Sequence, residues 1–338
     1  MSRSERSDDD TIAAAQVDIE EIPVIDFAAF LTGDAEARRK VAEEIAWACR
    51  VIGFFYLKGH GVPEPVLEDI FASTRDFHHQ PKAAKAAALA TRDWYRGWVP
   101  APEDQDLTRN TRMFDQYRLQ LDFPPENRPN DPLARIFDVP NRWPEALPGF
   151  EAASKAYLDA MTKLTGELLH AFALGLDLPE GRFDDYFHRP PSQLSLLHYP
   201  PLPDAAQVEV SNIVSHTDEG PFTILAQDAI GGLEVKRRDG VWIAAPPLPG
   251  TFVINVGDSM MWWSNGEFVS NYHRVKNRSG QERFSIPFFV NPDRDVVVAP
   301  LPEIVARTGP ARYEPVKLSE HLARFYDKLD KDPHKQYG

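Results

Sequence analysis

The segment HTDEGPFTILA (residues 216–226) decides how the second half of this chain folds. Phe222–Ala226 is an apolar run preceded by Gly220 and Pro221, and a short run bounded by such turn residues is typical of a buried strand. The same pattern extends over Gln193–Val298, where runs rich in Val, Ile, Phe, Trp and Thr recur at roughly ten-residue intervals between turn residues. This spacing predicts an antiparallel sandwich or barrel.

The predicted strands of this region have the ordinary length of strands in globular proteins, about three to ten residues. Turn residues separate each of them from the next. The predicted strands are Leu194–His198, Val208–Val214, Phe222–Ala226, Leu233–Lys236, Trp242–Ala245, Thr251–Val256, Met260–Trp263 and Arg283–Val290.

The first half of the chain has the apolar spacing of helices. Two short strands, Ile22–Phe27 and Phe54–Leu57, are the exceptions. Between Trp94 and Pro148 frequent prolines interrupt any helical period, so we expect an irregular segment that serves as a lid or binding loop. Helices are predicted over residues 34–52, 64–77, 82–90, 150–175 and 318–329.

The composition indicates a folded protein and argues against two classes of partner. Of 338 residues 43% are hydrophobic, and 37 basic against 51 acidic residues give a formal net charge of −14. Such a chain lacks the basic surface that a general nucleic-acid binder needs. The N-terminal residues MSRSERSDDD contain no apolar core of a secretory signal, and the most apolar stretch, Val51–Leu57, is too short to span a membrane.

Cysteine usage points to a reducing compartment. Cys49 is the only cysteine, which excludes an internal disulfide, a cysteine-based zinc site and a thiolate-held iron–sulfur cluster. We therefore expect a cytoplasmic protein that binds neither nucleic acid nor membrane. We further expect it to be a monomer or a weak homo-oligomer.

A candidate metal site begins with His216 and Asp218. Residues two apart on a strand point to the same face, so both side chains can reach one metal ion. His273 supplies a second imidazole, and two histidines with one carboxylate form the facial triad of non-haem Fe(II) oxygenases, which leaves three coordination positions open. The same observations allow a chance His-x-Asp spacing in a chain with ten histidines, and a His273 that only caps a turn.

A candidate carboxylate site follows ten residues later. Arg283 and Ser285 share one face of a predicted strand, where the guanidinium can bind a carboxylate through two hydrogen bonds and the hydroxyl can add a third. An arginine that points into a barrel is costly unless a negative charge accompanies it. Either a neighbouring acidic side chain or a ligand carboxylate supplies that charge.

These motifs resemble, in order and spacing, the isopenicillin N synthase-like branch of the 2-oxoglutarate- and Fe(II)-dependent oxygenases. The resemblance covers roughly residues 20–295. In the N-terminal half it rests on Ile22–Asp26, Gly53–Leu57 and Gly59–Val62. In the second half it rests on His198–Pro201, His216–Gly220, Thr223–Leu225, Gly232–Val235, Asn255–Asp258, Trp263–Gly266, His273–Val275 and Arg283–Phe289.

The resemblance implies Fe(II), 2-oxoglutarate and O2 as cofactor and co-substrates. Iron would be bound by the two histidines and the aspartate named above, and the distal carboxylate of 2-oxoglutarate by Arg283, Ser285 and the hydroxyl of Tyr199. The implied reaction oxidises a C–H bond of a small molecule, by hydroxylation or desaturation, and releases succinate and CO2. Many relatives carry Asn where this chain has Leu197, which leaves the polar contact to Tyr199.

The implied fold is α+β, with a distorted double-stranded β-helix (jelly-roll) core, a helical N-terminal module and a C-terminal helix. We expect a disordered tail over residues 1–17 and the helical module over 18–175, with its lid-like segment at 94–148. The jelly-roll oxygenase core is expected over 176–300, and the C-terminal helix and tail over 301–338.

Three other functions stay open at this point. Isopenicillin N synthase itself and the aminocyclopropane-carboxylate oxidases carry the same Arg-x-Ser pair without using 2-oxoglutarate, so the pair indicates a carboxylate and not its identity. A jelly-roll protein could bind a metal or ligand without catalysis. A zinc hydrolase also uses two histidines and one carboxylate, although it does not need the Arg283–Ser285 pair.

The last group of candidate residues concerns contacts with the substrate. In relatives they come partly from the irregular N-terminal segment. The candidates in that segment are Arg96, Met113, Gln116 and Arg118. An arginine that faces the iron would favour a substrate with a carboxylate or a phosphate, whereas solvated arginines would have no such role.

Overall fold

The predicted disordered tail, residues 1–17, lies outside the part of the chain that the computed structural model describes. That part comprises residues 22–101, 113–124, 131, 133–201 and 211–331. None of the helices in these ranges combines the length and the hydrophobicity that crossing a membrane requires.

The described strands form a large sheet, a smaller sheet and a two-stranded ribbon. In the large sheet the order is β1-β2-β10-β7-β12-β5-β4-β3, in the smaller sheet β6-β11-β8-β9, and β13 pairs with β14. All pairs are antiparallel except β1 with β2. The strands are β1 Val24–Asp26, β2 Phe54–Lys58, β3 Gly97–Val99, β4 Asp115–Gln120, β5 Gln193–Tyr199, β6 Ile213–His216, β7 Phe222–Gln227, β8 Leu233–Lys236, β9 Trp242–Ala244, β10 Thr251–Val256, β11 His273–Val275, β12 Arg283–Val290, β13 Val297–Val298 and β14 Val316–Lys317.

The helices lie mostly before β5 in the chain. A 3-10 turn, Ala86–Ala88, continues the short helix α4, and another is formed by Asp184–Tyr186. The described helices are α1 Ala28–Thr32, α2 Ala35–Val51, α3 Glu64–His78, α4 Lys82–Lys85, α5 Ala134–Phe137, α6 Pro148–Gly175, α7 Asp258–Trp263, α8 Pro302–Thr308 and α9 Leu318–Lys331.

Helices α2, α3 and α6 cover the outer face of the large sheet. Asp34 begins α2 by accepting a hydrogen bond from the backbone N–H of Ala37, which satisfies one of the unpaired donors of the first turn. Gly175 lets α6 approach α2 closely, because a Cβ there would lie 2.8 Å from the carbonyl oxygen of Ala42. The three helices and the outer face of the sheet share one apolar cluster.

Alternation along β5 separates this outer layer from the interior between the sheets. Leu194 and Leu196 belong to the cluster under the helices. Leu197 and Tyr199 belong to a second cluster that also contains residues of the smaller sheet, such as Val235. The two sheets therefore pack face to face, as the predicted sandwich requires, and the inner face of the large sheet carries the odd-numbered residues of β5.

The structure differs from the expected secondary structure in several places. The predicted strand Val208–Val214 lies partly outside the described residues, and the observed strand β6 is Ile213–His216. The segment 94–148, expected to be irregular, contributes β3 and β4 to the large sheet. Both strands are short, β4 pairs with β5 and β3 pairs with β4, so neither needs a long periodic run. The predicted strand Met260–Trp263 is wrong, since these residues lie in the helix α7. That helix begins against the loop after β6, where the N–H of Asp258 donates to the carbonyl oxygen of Asp218.

Candidate active site

Two histidines face each other in the smaller sheet. Strands β6 and β11 pair with His216 directly opposite His273, and the ring centroids lie 4.2 Å apart. The Nδ1 of His216 lies 2.8 Å from the carbonyl oxygen of Val214, and the Nδ1 of His273 lies 3.4 Å from that of Asn271. A carbonyl oxygen only accepts, so each Nδ1 carries the proton and each Nε2 keeps a lone pair.

Asp218 completes this group, which we call the His216 cluster (His216, Asp218 and His273). Its Oδ1 lies 3.6 Å from the Nε2 of His216 and 3.7 Å from the Nε2 of His273. Its other oxygen, Oδ2, accepts hydrogen bonds from the hydroxyl of Thr223 at 2.5 Å and the amide of Asn255 at 2.7 Å. Three electron-pair donors therefore converge, and hydrogen bonds fix the orientation of each.

The electrostatics of the His216 cluster are set by one buried carboxylate between two buried histidines. Burial and the neighbouring His273 lower the pKa of His216 to about 4. Burial would raise the pKa of Asp218, but the two imidazoles and the hydrogen bonds to Oδ2 outweigh it and hold that pKa below its usual range. Among the described residues no Lys or Arg forms an ion pair with Asp218. A buried carboxylate beside two imidazoles, with no Lys or Arg partner in the described part of the chain, suits a bound cation, and the donors match the Fe(II) facial triad.

A second group of the same three residue types lies on the outer face of the large sheet. This group, the His78 cluster, consists of His78, Asp115 and His198, whose ligand atoms also lie within 4.8 Å of one another. Its electrostatics differ, because the ammonium of Lys85 lies 3.5 Å from the Oδ2 of Asp115 and donates to the carbonyl oxygen of His78 at 3.0 Å. The chain itself supplies the counter-charge, so the His78 cluster needs no metal.

The predicted carboxylate site is assembled on β12 and β5. Arg283 lies opposite Tyr199 in the register, and the guanidinium donates to the hydroxyl of Ser285 at 3.0 Å and to the Oε1 of Gln227 at 3.1 Å. The hydroxyl of Ser285 lies 3.4 Å from that of Tyr199, and burial raises the pKa of Tyr199, which keeps its phenol protonated. These partners are neutral, and the buried Nε of Arg283 has no hydrogen-bond partner in the described part of the chain. The site is therefore complementary to an anion.

The register connects the two sites. Along β12, Ser285 pairs with Gln227 and Phe289 pairs with Thr223, the residue that holds Asp218. Ser285 and Phe289 have the same parity on the strand and so share its inner face. The inner face of the large sheet thus connects Arg283 with Thr223, which holds Asp218.

The four candidate substrate residues have different surroundings. Gln116 and Arg118 pair with Leu197 and Ser195 of β5, so they lie on the inner face with Tyr199. The ring of Phe114, from the same candidate segment Met113–Arg118, also lies there, 5.6 Å from that of Tyr199.

The other two candidates are placed differently. Arg96 forms an ion pair with Asp122 and donates to the carbonyl oxygen of Phe137. Met113 is fully buried just before β4. The structure gives Arg96 a carboxylate from the chain itself, which removes the reason to assign it to a substrate.

Three supporting residues were not predicted from the sequence. Thr223 and Asn255 orient Asp218, and Gln227 holds the guanidinium of Arg283. Each is a polar residue at an inner position of an otherwise apolar strand. This alternation is the sequence signal that could have identified them.

Comparisons with known proteins agree over most of the chain. Residues 190–292 match the 2OG-Fe(II) oxygenase superfamily, and residues 22–146 match the N-terminal region of the non-haem dioxygenases in morphine synthesis. The 2-oxoglutarate-Fe(II) type oxidoreductase ppzC of Metarhizium majus is 33% identical over an alignment that covers 92% of this chain and 89% of that protein. The 1-aminocyclopropane-1-carboxylate oxidase of Dictyostelium discoideum is 31% identical, with 85% and 86% covered.

A solved structure shows the same architecture. The crystal structure of a full-length Neurospora crassa protein in complex with alpha-KG superposes with a TM-score of 0.79 at 28% identity, covering 90% of this chain and 95% of that one. Together with the two packed sheets, this likeness confirms the predicted α+β fold with a jelly-roll core.

Proposed function

This chain belongs to the 2-oxoglutarate- and Fe(II)-dependent oxygenases, and from that premise we propose the roles of its individual site residues. It is a 2-oxoglutarate-dependent non-haem iron dioxygenase, which uses Fe(II), 2-oxoglutarate and O2 to oxidise a C–H bond of a small molecule. The His216 cluster binds Fe(II), and Arg283, Ser285 and Tyr199 bind 2-oxoglutarate.

The observation that supports the metal assignment most strongly is the convergence of three oriented donors on a site without a protein cation. The Nδ1–H groups of His216 and His273 are held by backbone carbonyls, so both Nε2 lone pairs face Oδ1 of Asp218. Two imidazoles and one carboxylate leave three positions for other ligands on an octahedral ion. When bound, iron with 2-oxoglutarate supplies O2-dependent C–H oxidation coupled to release of succinate and CO2.

The remaining residues position the co-substrate. The guanidinium of Arg283 and the hydroxyls of Ser285 and Tyr199 form a buried set of donors for one carboxylate. Gln227 holds one Nη of Arg283 and thereby fixes the plane of the guanidinium. The aromatic ring of Tyr199, 4.7 Å from the Cζ of Arg283, adds a cation–π contact.

An anaerobic absorption titration tests this assignment. Fe(II) is added to the metal-free protein, followed by 2-oxoglutarate, and we expect a weak visible charge-transfer band only when both are present. The His216→Ala variant should bind no iron, whereas Arg283→Lys should bind iron and require more 2-oxoglutarate. A band that forms equally in either variant would contradict the residue assignment.

The same titration distinguishes the proposed dioxygenase from an oxidase with the same iron site. The oxidase is considered because the chain is similar to a 1-aminocyclopropane-1-carboxylate oxidase. An oxidase of the isopenicillin N synthase type would bind iron but give no band with 2-oxoglutarate. It would also release no succinate under air. Succinate formation that requires both Fe(II) and 2-oxoglutarate supports the dioxygenase.

We also propose that the enzyme is cytoplasmic, acts on a small molecule rather than on a nucleic acid, and is a monomer or a weak homo-oligomer. The net charge of −14 supports the exclusion of nucleic acid. The single cysteine, Cys49, is buried in α2, which fits a reducing compartment. Light scattering of the purified protein tests the oligomeric state.

A further inference from the structure

Four arginines are buried in the described part of the chain, and they fall into two pairs. Arg96 and Arg294 form ion pairs with carboxylates of the chain, Arg96 with Asp122 and Arg294 with Asp131 and Asp138. The other two, Arg283 and Arg118, form no ion pair with a carboxylate among the described residues. Burial of a charge is costly unless an opposite charge accompanies it. The proposed function provides a partner for Arg283 but none for Arg118.

Arg118 is held in place by neutral groups. It is 6% exposed, its Nε donates to the Oε1 of Gln116 at 3.1 Å, and its Cζ lies 4.1 Å from the ring of Tyr95. The amide of Gln116 is itself fixed, because it donates to the hydroxyl of Ser195 at 2.7 Å. These contacts fix the guanidinium through Nε and one ring face, and they leave the Nη groups for a ligand.

The strand register places Arg118 on the same inner face of the large sheet as the proposed active site. Gln116 lies in line, across β5, with Ser285 of the 2-oxoglutarate site. Gln120 lies in line, across β5 and β12, with Thr223, which holds Asp218. Along the strand direction Arg118 lies between these two rows, and it is on the same inner face, which is directed into the interior between the two sheets.

Arg118 is nevertheless too far across the sheet to duplicate Arg283. Its strand, β4, is separated from β7 by β12 and β5, and at roughly 4.8 Å per strand the separation is about 14 Å. Tyr95, under the guanidinium, packs against Tyr326 of α9 with ring centroids 4.8 Å apart. The side chain therefore lies at the wall formed by β4 and the C-terminal helix, where a molecule other than 2-oxoglutarate would be bound.

We propose that Arg118 binds a carboxylate of the substrate, so that the enzyme oxidises a small organic acid. The carboxylate lies several bonds from the oxidised carbon, because β4 lies about 14 Å across the large sheet from β7, whose Thr223 holds Asp218. The inference rests on the proposed function, since it takes the inner face as the active site. It adds the substrate class and a specificity-determining residue.

Matched pairs of ligands test the proposal without knowledge of the natural substrate. The probes are fluorinated aliphatic and aromatic carboxylic acids of increasing length, each with its primary amide. Binding to the full-length protein loaded with Mn(II) and 2-oxoglutarate under nitrogen is followed by fluorine NMR. We expect acids of suitable length to bind and their amides not to, and Arg118→Gln to weaken acid binding roughly 10- to 100-fold, the loss expected for a hydrogen-bonded charge.

Controls separate this inference from the proposed function. Arg39→Gln removes the same charge from an exposed arginine of α2, and it should leave acid binding unchanged. Arg118→Gln should bind 2-oxoglutarate with the affinity of the wild type, whereas Arg283→Lys should bind 2-oxoglutarate more weakly. A wild type that fails to bind Mn(II) and 2-oxoglutarate overturns the proposed function and, with it, this inference.

Three results overturn the inference alone. The first is a wild type that binds 2-oxoglutarate but binds no acid more tightly than its amide. The second is acid binding that survives in a folded Arg118→Gln variant, with folding checked by its melting temperature. The third is a loss of 2-oxoglutarate affinity in Arg118→Gln equal to that in Arg283→Lys, which would assign Arg118 to the co-substrate.

Discussion

The His216 cluster and the His78 cluster contain the same residue types at similar separations. They differ in whether a basic side chain of the protein lies beside the aspartate. In both, ligand atoms of two histidines and one aspartate lie within 4.8 Å of one another. In the His216 cluster no Lys or Arg pairs with Asp218 among the described residues. In the His78 cluster Lys85 lies 3.5 Å from Asp115. Proximity of ligand atoms is therefore a weaker indication of a metal than the absence of a protein cation.

The second oxygen of each carboxylate shows the same contrast. The Oδ2 of Asp218 is held by Thr223 and Asn255, which orients Oδ1 toward both imidazoles. In the His78 cluster one oxygen of Asp115 accepts the N–H of Ala101, at 2.7 Å, and the other faces Lys85. One carboxylate is arranged to coordinate, while the other joins α4, β4 and the segment after β3.

The largest difference between the clusters should appear when each carboxylate is neutralised. Asp218→Asn removes the anionic ligand, and we expect the protein to lose Fe(II) binding altogether. Asp115→Asn should leave one Fe(II) per chain, because the His78 cluster binds none. Anaerobic dialysis against Fe(II) followed by metal analysis measures both. Iron retained in Asp218→Asn and lost in Asp115→Asn would reverse the assignment of the two clusters.

The hydrogen bonds to Asp218 should have a smaller effect. Thr223→Val removes one donor to Oδ2 and preserves the shape of the side chain, and we expect Fe(II) affinity to fall roughly 10- to 100-fold, as for other groups that orient metal ligands. Thr74→Val is the matched control, because its buried hydroxyl donates to the carbonyl oxygen of Ile70 within α3. Competition with a chromogenic chelator measures the affinity, and equal values in the two variants would show that orientation of Asp218 does not matter.

Much of the proposed metal site could be predicted from the sequence, and the His78 cluster could not. His216 ends β6 and Asp218 follows two residues later in the loop after it, so the short separation in the sequence brings them together. His78, Asp115 and His198 come from α3, β4 and β5, and no spacing in the sequence relates them. Lys85, which decides their chemistry, comes from yet another element.

The contrast between local sequence signals and contacts between distant elements also explains which helices and strands were predicted. The strands of the core follow from alternation and turn residues, which are local signals. The helix α7 does not, because four consecutive bulky apolar residues fit a strand as well as a buried helix. What selects the helix is the tertiary contact of its first residue, Asp258, with the loop that carries Asp218.

Removal of the Lys85 ammonium from the His78 cluster should lower the stability of the protein. Lys85→Met leaves Asp115 without its counter-charge, and we expect a loss of about 2 kcal/mol in the free energy of unfolding, because the carboxylate is only partly buried. The double variant with Asp115→Asn should recover part of this loss, since no charge is then left unpaired. Urea denaturation measures both. A single variant as stable as the wild type would show that Lys85 does not compensate Asp115.

The His78 cluster should also make the stability of the protein depend on pH. Burial and the neighbouring His198 lower the pKa of His78 from 6.5 to about 3. Between these values the unfolded chain binds a proton that the folded protein does not, so stability falls as the pH falls from 6.5, by at most about 1.4 kcal/mol per pH unit. His78→Gln keeps an amide donor for the carbonyl oxygen of Leu196 and cannot titrate. In metal-free protein, urea denaturation from pH 6.5 to 4 should give the variant the shallower slope, and parallel slopes would show that His78 is not held neutral.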